Sequence, residues 1–186
     1  MASVFGVTLK KTGSQTGLVF STGSLNSMKT LKGEGACCAI IADWISRSKK
    51  LGRSVRSVTE LSPPTAYIVA FGPEDFKNQI TADWDINVME SFSVSPHEMK
   101  HYEPVAFTTL ATYIASNTGY LWVRIYGSNG GHSVGFFVNK SVFEYMDPNV
   151  GLYRLADSGA FISHVVTQLS TNYANLNAWS KVYNFV

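Results

Sequence analysis

The apolar positions of this chain change period partway along, from helical spacing early to strand-like alternation late. Over residues 36–50, Cys37, Ile40, Ile41, Trp44 and Ile45 recur at helical spacing and Gly52 closes the run. Residues 105–116 read as a second helix, stopped near Asn117 and Gly119, and residues 73–83 as a further helical stretch. Ahead of the first helix, residues 4–10 and 18–21 read as short strands and residues 22–33 as a polar loop. Residues 66–71 suit either a strand or a buried turn of helix.

Beyond Gly119 the alternation has period two. Strands are predicted over 120–126, 132–139 and 141–146, with further ones at 152–155 and 182–186. Ser128-Asn129-Gly130-Gly131 supplies turn chemistry between the first two. Ser158 is placed to cap a helix over 159–173 whose apolar stripe is Phe161, Ile162, Val165, Val166 and Leu169. Helices first and antiparallel strands later describe an α+β domain. The expected organisation is one domain over 1–186, with a helical half at about 36–118 and a sheet half at about 119–186.

Composition narrows the function classes. Hydrophobic residues at 45% and charged residues at 15% fit a globular chain able to bury a core. A net charge of +2 gives no electrostatic case for nucleic acid or an acidic membrane as partner. No apolar run approaches the ~20 residues of a membrane span. The N-terminus lacks the pattern of a general-secretion signal, its lysines following the short apolar stretch instead of preceding it. The two cysteines, Cys37 and Cys38, are adjacent, whereas a disulfide wants about 5.5 Å between Cα atoms, so no disulfide framework is expected.

The candidate chemistry follows from three segments. Cys37 falls in the first turn of the predicted helix, where the positive end of the helix dipole favours thiolate. His132 opens a strand after a glycine-rich turn, and Asp147 ends the next strand, where Pro148 and Asn149 turn the chain away. A hairpin brings those strand ends together, so a carboxylate there can fix an imidazole's tautomer and steady its charged form. Each residue also has a plain structural use: a buried apolar thiol, a histidine at a core edge, an aspartate forming a turn. A binding module without catalysis would use them so.

The segments Gly35-Ala36-Cys37-Cys38-Ala39-Ile40 with Trp44-Ile45, Gly131-His132-Ser133-Val134, and Met146-Asp147-Pro148-Asn149-Val150-Gly151 together resemble the YopT-type cysteine proteases. These are bacterial effector proteases with a papain-like fold, in which a nucleophile helix packs on an antiparallel sheet. The match covers about twenty residues in three islands within 35–151. It implies Cys37, with Trp44 seven residues beyond, as nucleophile, His132 as general base and Asp147 as the acid orienting it. It further implies no cofactor and no metal, secretion by a specialised route, and action on a protein or peptide in a target cell's cytosol. A chaperone or immunity protein would be a fitting partner. Relatives of the fold that cleave peptidoglycan stem peptides offer an alternative, an amidase toxin acting in a rival's periplasm.

One feature departs from the pattern. The family carries an Asn or Gln a few residues before the nucleophile to stabilise the oxyanion, and residues 30–34 contain neither. Asn26 and Lys32 are the candidate donors, with the Cys37 backbone N–H. A competing motif, His97-Glu98-Met99-Lys100-His101, has the letters of a zinc-protease helix. Pro96 and Pro104 leave it two helical turns at most, and Lys100 and Glu103 give it a solvated character, so a surface turn of helix is expected there.

Overall fold

The computed structural model describes residues 3–4, 7–8, 17–22, 36–63, 65–66, 84–128 and 130–185. The core of the fold is a seven-stranded antiparallel sheet. Its strands are β3 (Leu18–Ser21), β4 (Glu98–Tyr102), β5 (Gly119–Gly127), β6 (Gly130–Val138), β7 (Phe143–Asp147), β8 (Gly151–Leu155) and β9 (Trp179–Phe185). They lie in the order β3-β8-β7-β6-β5-β9-β4. Two short strands, β1 (Ser3–Val4) and β2 (Val7–Thr8), pair with each other, where the sequence predicts one strand over 4–10.

Alternation along β5 shows how the layers form. Tyr120 and Trp122 join one buried cluster with α1 (Cys37–Leu51) and α2 (Trp84–Ser91). Leu121, Val123 and Ile125 join a second cluster with α3 (Phe107–Ser116) and α4 (Ser158–Asn172). Helices therefore cover both faces of the sheet. That is why β5 and β6 bury successive residues along much of their length and not only every second one. Among the described residues, no helix is long and apolar enough to cross a membrane.

Helix α1 is seated by one small residue. Gly135 of β6 lies under the Trp44 indole, and a Cβ there would stand 2.8 Å from Trp44 Cζ3 and 3.2 Å from Ile41 Cδ1. Trp44 and Tyr120 meet edge to face at 5.4 Å between centroids. At its far end α1 stops at Gly52, left-handed at φ 63°, whose N–H returns to Lys49 O at 3.2 Å. Lys49 and Lys50 complement the dipole there, and no acidic residue occupies the first turn. The positive end is thus left to act on Cys37. Mid-helix, buried Asp43 accepts from Ser62 N at 2.7 Å, Ser62 Oγ at 2.8 Å and Arg47 Nε at 2.9 Å, which ties the following loop to the helix.

Several elements differ from the sequence reading. The segment from His97 to His101 is not a turn of helix: β4 runs antiparallel to β9 from Glu98 opposite Asn184 to Tyr102 opposite Ser180. Four residues of strand separate the backbones of the two histidines by about 13 Å, against about 6 Å on a helix, so the zinc-helix geometry is lost. His101 instead meets Trp179 edge-on at 5.6 Å. The cap of α4 is Asp157, which accepts from Ala160 N at 2.8 Å, and not Ser158, which is already helical. Helix α4 over Ser158–Asn172 lies close to the helix predicted over 159–173, while β4 forms where a surface turn of helix is expected. Helix α2 forms just beyond the predicted helix at 73–83, which lies outside the described residues, as does nearly all of 66–71.

Because Trp44 fills the space above Gly135, Gly135→Ala should overpack this contact and destabilise the fold by about 1–3 kcal/mol. A urea denaturation midpoint equal to that of the wild type would contradict the seating of α1 on β6.

Candidate functional site

The site forms where β6 and β7 part company. Their pairing runs from Val138 opposite Phe143 to Gly135 opposite Met146. Asp147 is the next residue of β7, and His132 lies three residues further along β6, on the face shared with Val134 and Phe136. There His132 Nε2 donates to Asp147 Oδ1 at 3.0 Å, with both side chains almost wholly buried.

Asp147 is held from several directions. Tyr145, two residues earlier on the same face of β7, donates its hydroxyl to Oδ2 at 3.0 Å. The turn itself contributes Asn149 N to Oδ1 at 2.9 Å, and Val150 N closes back on Asp147 O at 2.9 Å. Tyr173, just past α4, donates to the same carboxylate, 2.9 Å from Oδ2 and 3.1 Å from Oδ1. At the end of β3, Thr22 Oγ1 reaches Asp147 O at 3.1 Å and Pro148 O at 2.9 Å. Gly151 completes the turn at φ +151°, where a Cβ would lie 2.0 Å from Phe20 O. The turn-forming use of Asp147 and its contact with His132 therefore coexist, one oxygen serving both.

Electrostatics follows from this packing. Burial raises the Asp147 pKa, but the His132 charge and hydrogen bond, with the Asn149 N–H and the Tyr173 hydroxyl, outweigh it and hold the group below its ordinary value. Burial works against a charged His132, yet the Asp147 charge and hydrogen bond, helped by Cys37, bring its pKa up to about 9. Tyr145 and Tyr173 are pushed well up by burial and by the Asp147 charge, so both remain protonated donors.

The two cysteines have opposite fates. Cys37, 4% exposed, is held well below the usual thiol value by the Cys38 thiol, and then, against burial, by the His132 imidazole and the Ser133 N–H. Cys38 is pushed well above it by burial and by its neighbour Cys37. Its Sγ shares a hydrogen bond with Ser133 Oγ at 3.1 Å. One thiol of the pair is therefore favoured as thiolate and the other stays neutral. His132 Nδ1 is buried and makes no hydrogen bond among the described residues. Of the imidazole's two nitrogens, the one turned away from Asp147 is thus uncommitted.

Asn26 and Lys32 lie outside the described residues. Helix geometry leaves the N–H groups in the first turn of α1 without an internal acceptor, which suits them to meeting negative charge. No group of three or more His, Cys, Asp or Glu with metal-binding geometry occurs among the described residues. Sequence reasoning missed Tyr145, Tyr173, Thr22 and Ser133. Tyr145 was within reach, because position i−2 on a strand shares a face with Asp147. Tyr173 was not, since its place depends on how α4 lies on the sheet.

No protein-family model and no curated protein matches this chain. Solved structures do. The crystal structure of the Pseudomonas avirulence protein AvrPphB aligns with a TM-score of 0.61 at 13% identity, covering 81% of this chain and 91% of that one. At that identity the likeness is one of architecture, and the chain shares the fold of AvrPphB.

Proposed function

We propose that this chain is a papain-like cysteine hydrolase acting as an effector, cleaving a peptide or amide bond in a protein of a target cell. Cys37 is the nucleophile, His132 the acid–base group and Asp147 its orienting carboxylate. The observation that carries this reading is the buried His132–Asp147 hydrogen bond of 3.0 Å beside a thiol held well below its ordinary pKa. The fold shared with a Pseudomonas avirulence protein and the resemblance of the three motif segments to YopT-type proteases support it independently. Delivery by a specialised secretion route belongs to the same reading.

The chemistry is acyl transfer. Cys37 Sγ attacks the carbonyl carbon, and the carbonyl oxygen takes up negative charge, met by the N–H groups at the start of α1. His132, protonated on Nδ1, gives that proton to the departing amine as the C–N bond breaks, leaving a thioester on Cys37. Water then attacks the thioester carbon and gives its proton to His132. The C–S bond breaks, releasing the carboxylic acid and restoring the thiolate–imidazolium pair. Asp147 keeps Nε2 engaged throughout, so that Nδ1 faces the reaction.

A rival reading makes Cys37 a structural thiol, and its 4% exposure favours that use. Reactivity separates the two, because a buried structural thiol is inert while an activated one is not. Intact-mass labelling of the native protein with a papain-directed epoxide should give a single adduct, mapped to Cys37 and lost in His132→Ala. A native protein that takes up no label, with thiols reacting only in denaturant, would exclude the hydrolase.

The pH dependence has a definite sign. Epoxide opening needs both the thiolate and an imidazolium to protonate the departing oxygen. The rate should rise as Cys37 ionises and fall as His132 loses its proton near pH 9. In Asp147→Asn the alkaline limb should move down toward the ordinary imidazole value of about 6.5, with the rate falling by roughly 10²–10⁴. The same raised pKa predicts that the stability contributed by His132 is fully present below about pH 6.5 and lost as pH rises through about 9. An alkaline limb unmoved by Asp147→Asn would dissociate the carboxylate from the imidazole.

A further inference from the structure

Tyr173 touches both members of the histidine–aspartate pair, with two different parts of its side chain. Its ring lies on the His132 imidazole with centroids 4.4 Å apart and planes 16° from parallel. Its hydroxyl donates to the Asp147 carboxylate. The hydroxyl also accepts from Asn149 Nδ2 at 2.8 Å, which uses a lone pair and leaves its single proton for Asp147. The backbone is pinned on both sides, Tyr173 N to Leu169 O at 2.9 Å and Leu176 N to Tyr173 O at 2.8 Å.

We propose that Tyr173 is a positioning residue for the imidazole, its ring fixing the plane of His132 while its hydroxyl fixes the carboxylate that His132 bonds. The proposal rests on the reading of His132 and Asp147 as working parts of a hydrolase. An imidazole tethered through one nitrogen can still swing about that bond. A flat ring stacked on it removes the swing, and Nδ1 is kept at one angle. Tyr145 contrasts with this, because its hydroxyl reaches only one oxygen of Asp147 and its ring packs on Phe136, Tyr153 and His164, not on His132. A tyrosine serving packing alone would need neither the near-parallel ring nor a hydroxyl centred on both carboxylate oxygens.

The groups bearing on the His132 charge are Asp147 at the end of β7, Cys37 at the start of α1 and Tyr173 after α4, with Tyr145 acting through Asp147. Removing the ring and removing the hydroxyl should therefore have opposite effects on the imidazole. Tyr173→Phe keeps the stack and takes one donor from Asp147, leaving the carboxylate more basic. Tyr173→Leu removes both and admits water beside the pair.

The experiment combines the pH profile of epoxide labelling at Cys37 with an NMR titration of the His132 ring, on wild type and both variants. Tyr173→Phe is expected to label three- to tenfold more slowly, with the His132 titration at or above that of the wild type. Tyr173→Leu is expected to label at least 30-fold more slowly, with the titration moved down by a pH unit or more. Wild-type rates and titrations in Tyr173→Leu would overturn the proposal. Should circular dichroism show that Tyr173→Leu does not fold, Tyr173→Phe decides alone: the slower rate supports the proposal, and an unchanged rate with an unchanged titration overturns it. If wild type takes no label at Cys37, the hydrolase reading fails by itself, and the NMR titrations still report whether Tyr173 controls the imidazole.

Discussion

A carboxylate removed from water must be neutralised or hydrogen-bonded, and Asp147, at 0% exposure, is the point where this fold meets that demand. Its donors come from separate parts of the chain: His132 from β6, Tyr145 from β7 itself, Asn149 from the turn and Tyr173 from beyond α4. Thr22, from the end of β3, binds the carbonyl oxygens of Asp147 and Pro148. Leaving one of these partners out would strand a buried charge or a buried donor. The local architecture is therefore specified by a single side chain, and the charge that it retains is what keeps His132 protonated.

The second constraint is the seat of α1. Cys37 opens this helix, so its position is only as well defined as the helix on the sheet. Gly135 sets that by letting Trp44 and Ile41 descend onto β6, three residues along the strand from His132. A strand that carries the imidazole thus also carries the contact that places the thiol. The uncompensated positive end of α1 and the neutral Cys38 thiol then act in the same direction, toward ionised Cys37. Burial opposes both, and its being outweighed is a property of this arrangement, not of cysteine at a helix start in general.

Much of the fold is legible in the sequence wherever one period dominates. The helix beginning at Cys37 and ending before Gly52, and the strands around Trp122 and Phe136, lie close to where the apolar pattern puts them. The pattern misleads where sequence letters imitate another element. His97-Glu98-Met99-Lys100-His101 is polar and flanked by prolines, and only its pairing with β9, distant in the chain, makes it an edge strand. At Asp157-Ser158 both residues can cap a helix, and a one-residue choice between them lies below what a pattern resolves. In the candidate site, Cys37, His132 and Asp147 are named from the order of three segments and their resemblance to YopT-type proteases, and His132 and Asp147 meet in a 3.0 Å hydrogen bond. The residues that hold His132 and Asp147 are readable only where they share an element with them: Tyr145 shares a strand face with Asp147, while Tyr173 and Thr22 arrive through tertiary packing.

The central claim is that Cys37 stands as a thiolate beside a protonated His132 in the folded protein. Ultraviolet difference titration of the thiolate band near 240 nm, on wild type and Cys37→Ser, tests it without a substrate or an inhibitor. The account predicts one thiolate equivalent titrating well below the ordinary thiol value of 9.0, absent from Cys37→Ser and shifted upward in His132→Ala. A folded protein whose thiols show no thiolate absorbance below pH 9.0, whichever residue stands at position 132, would contradict it.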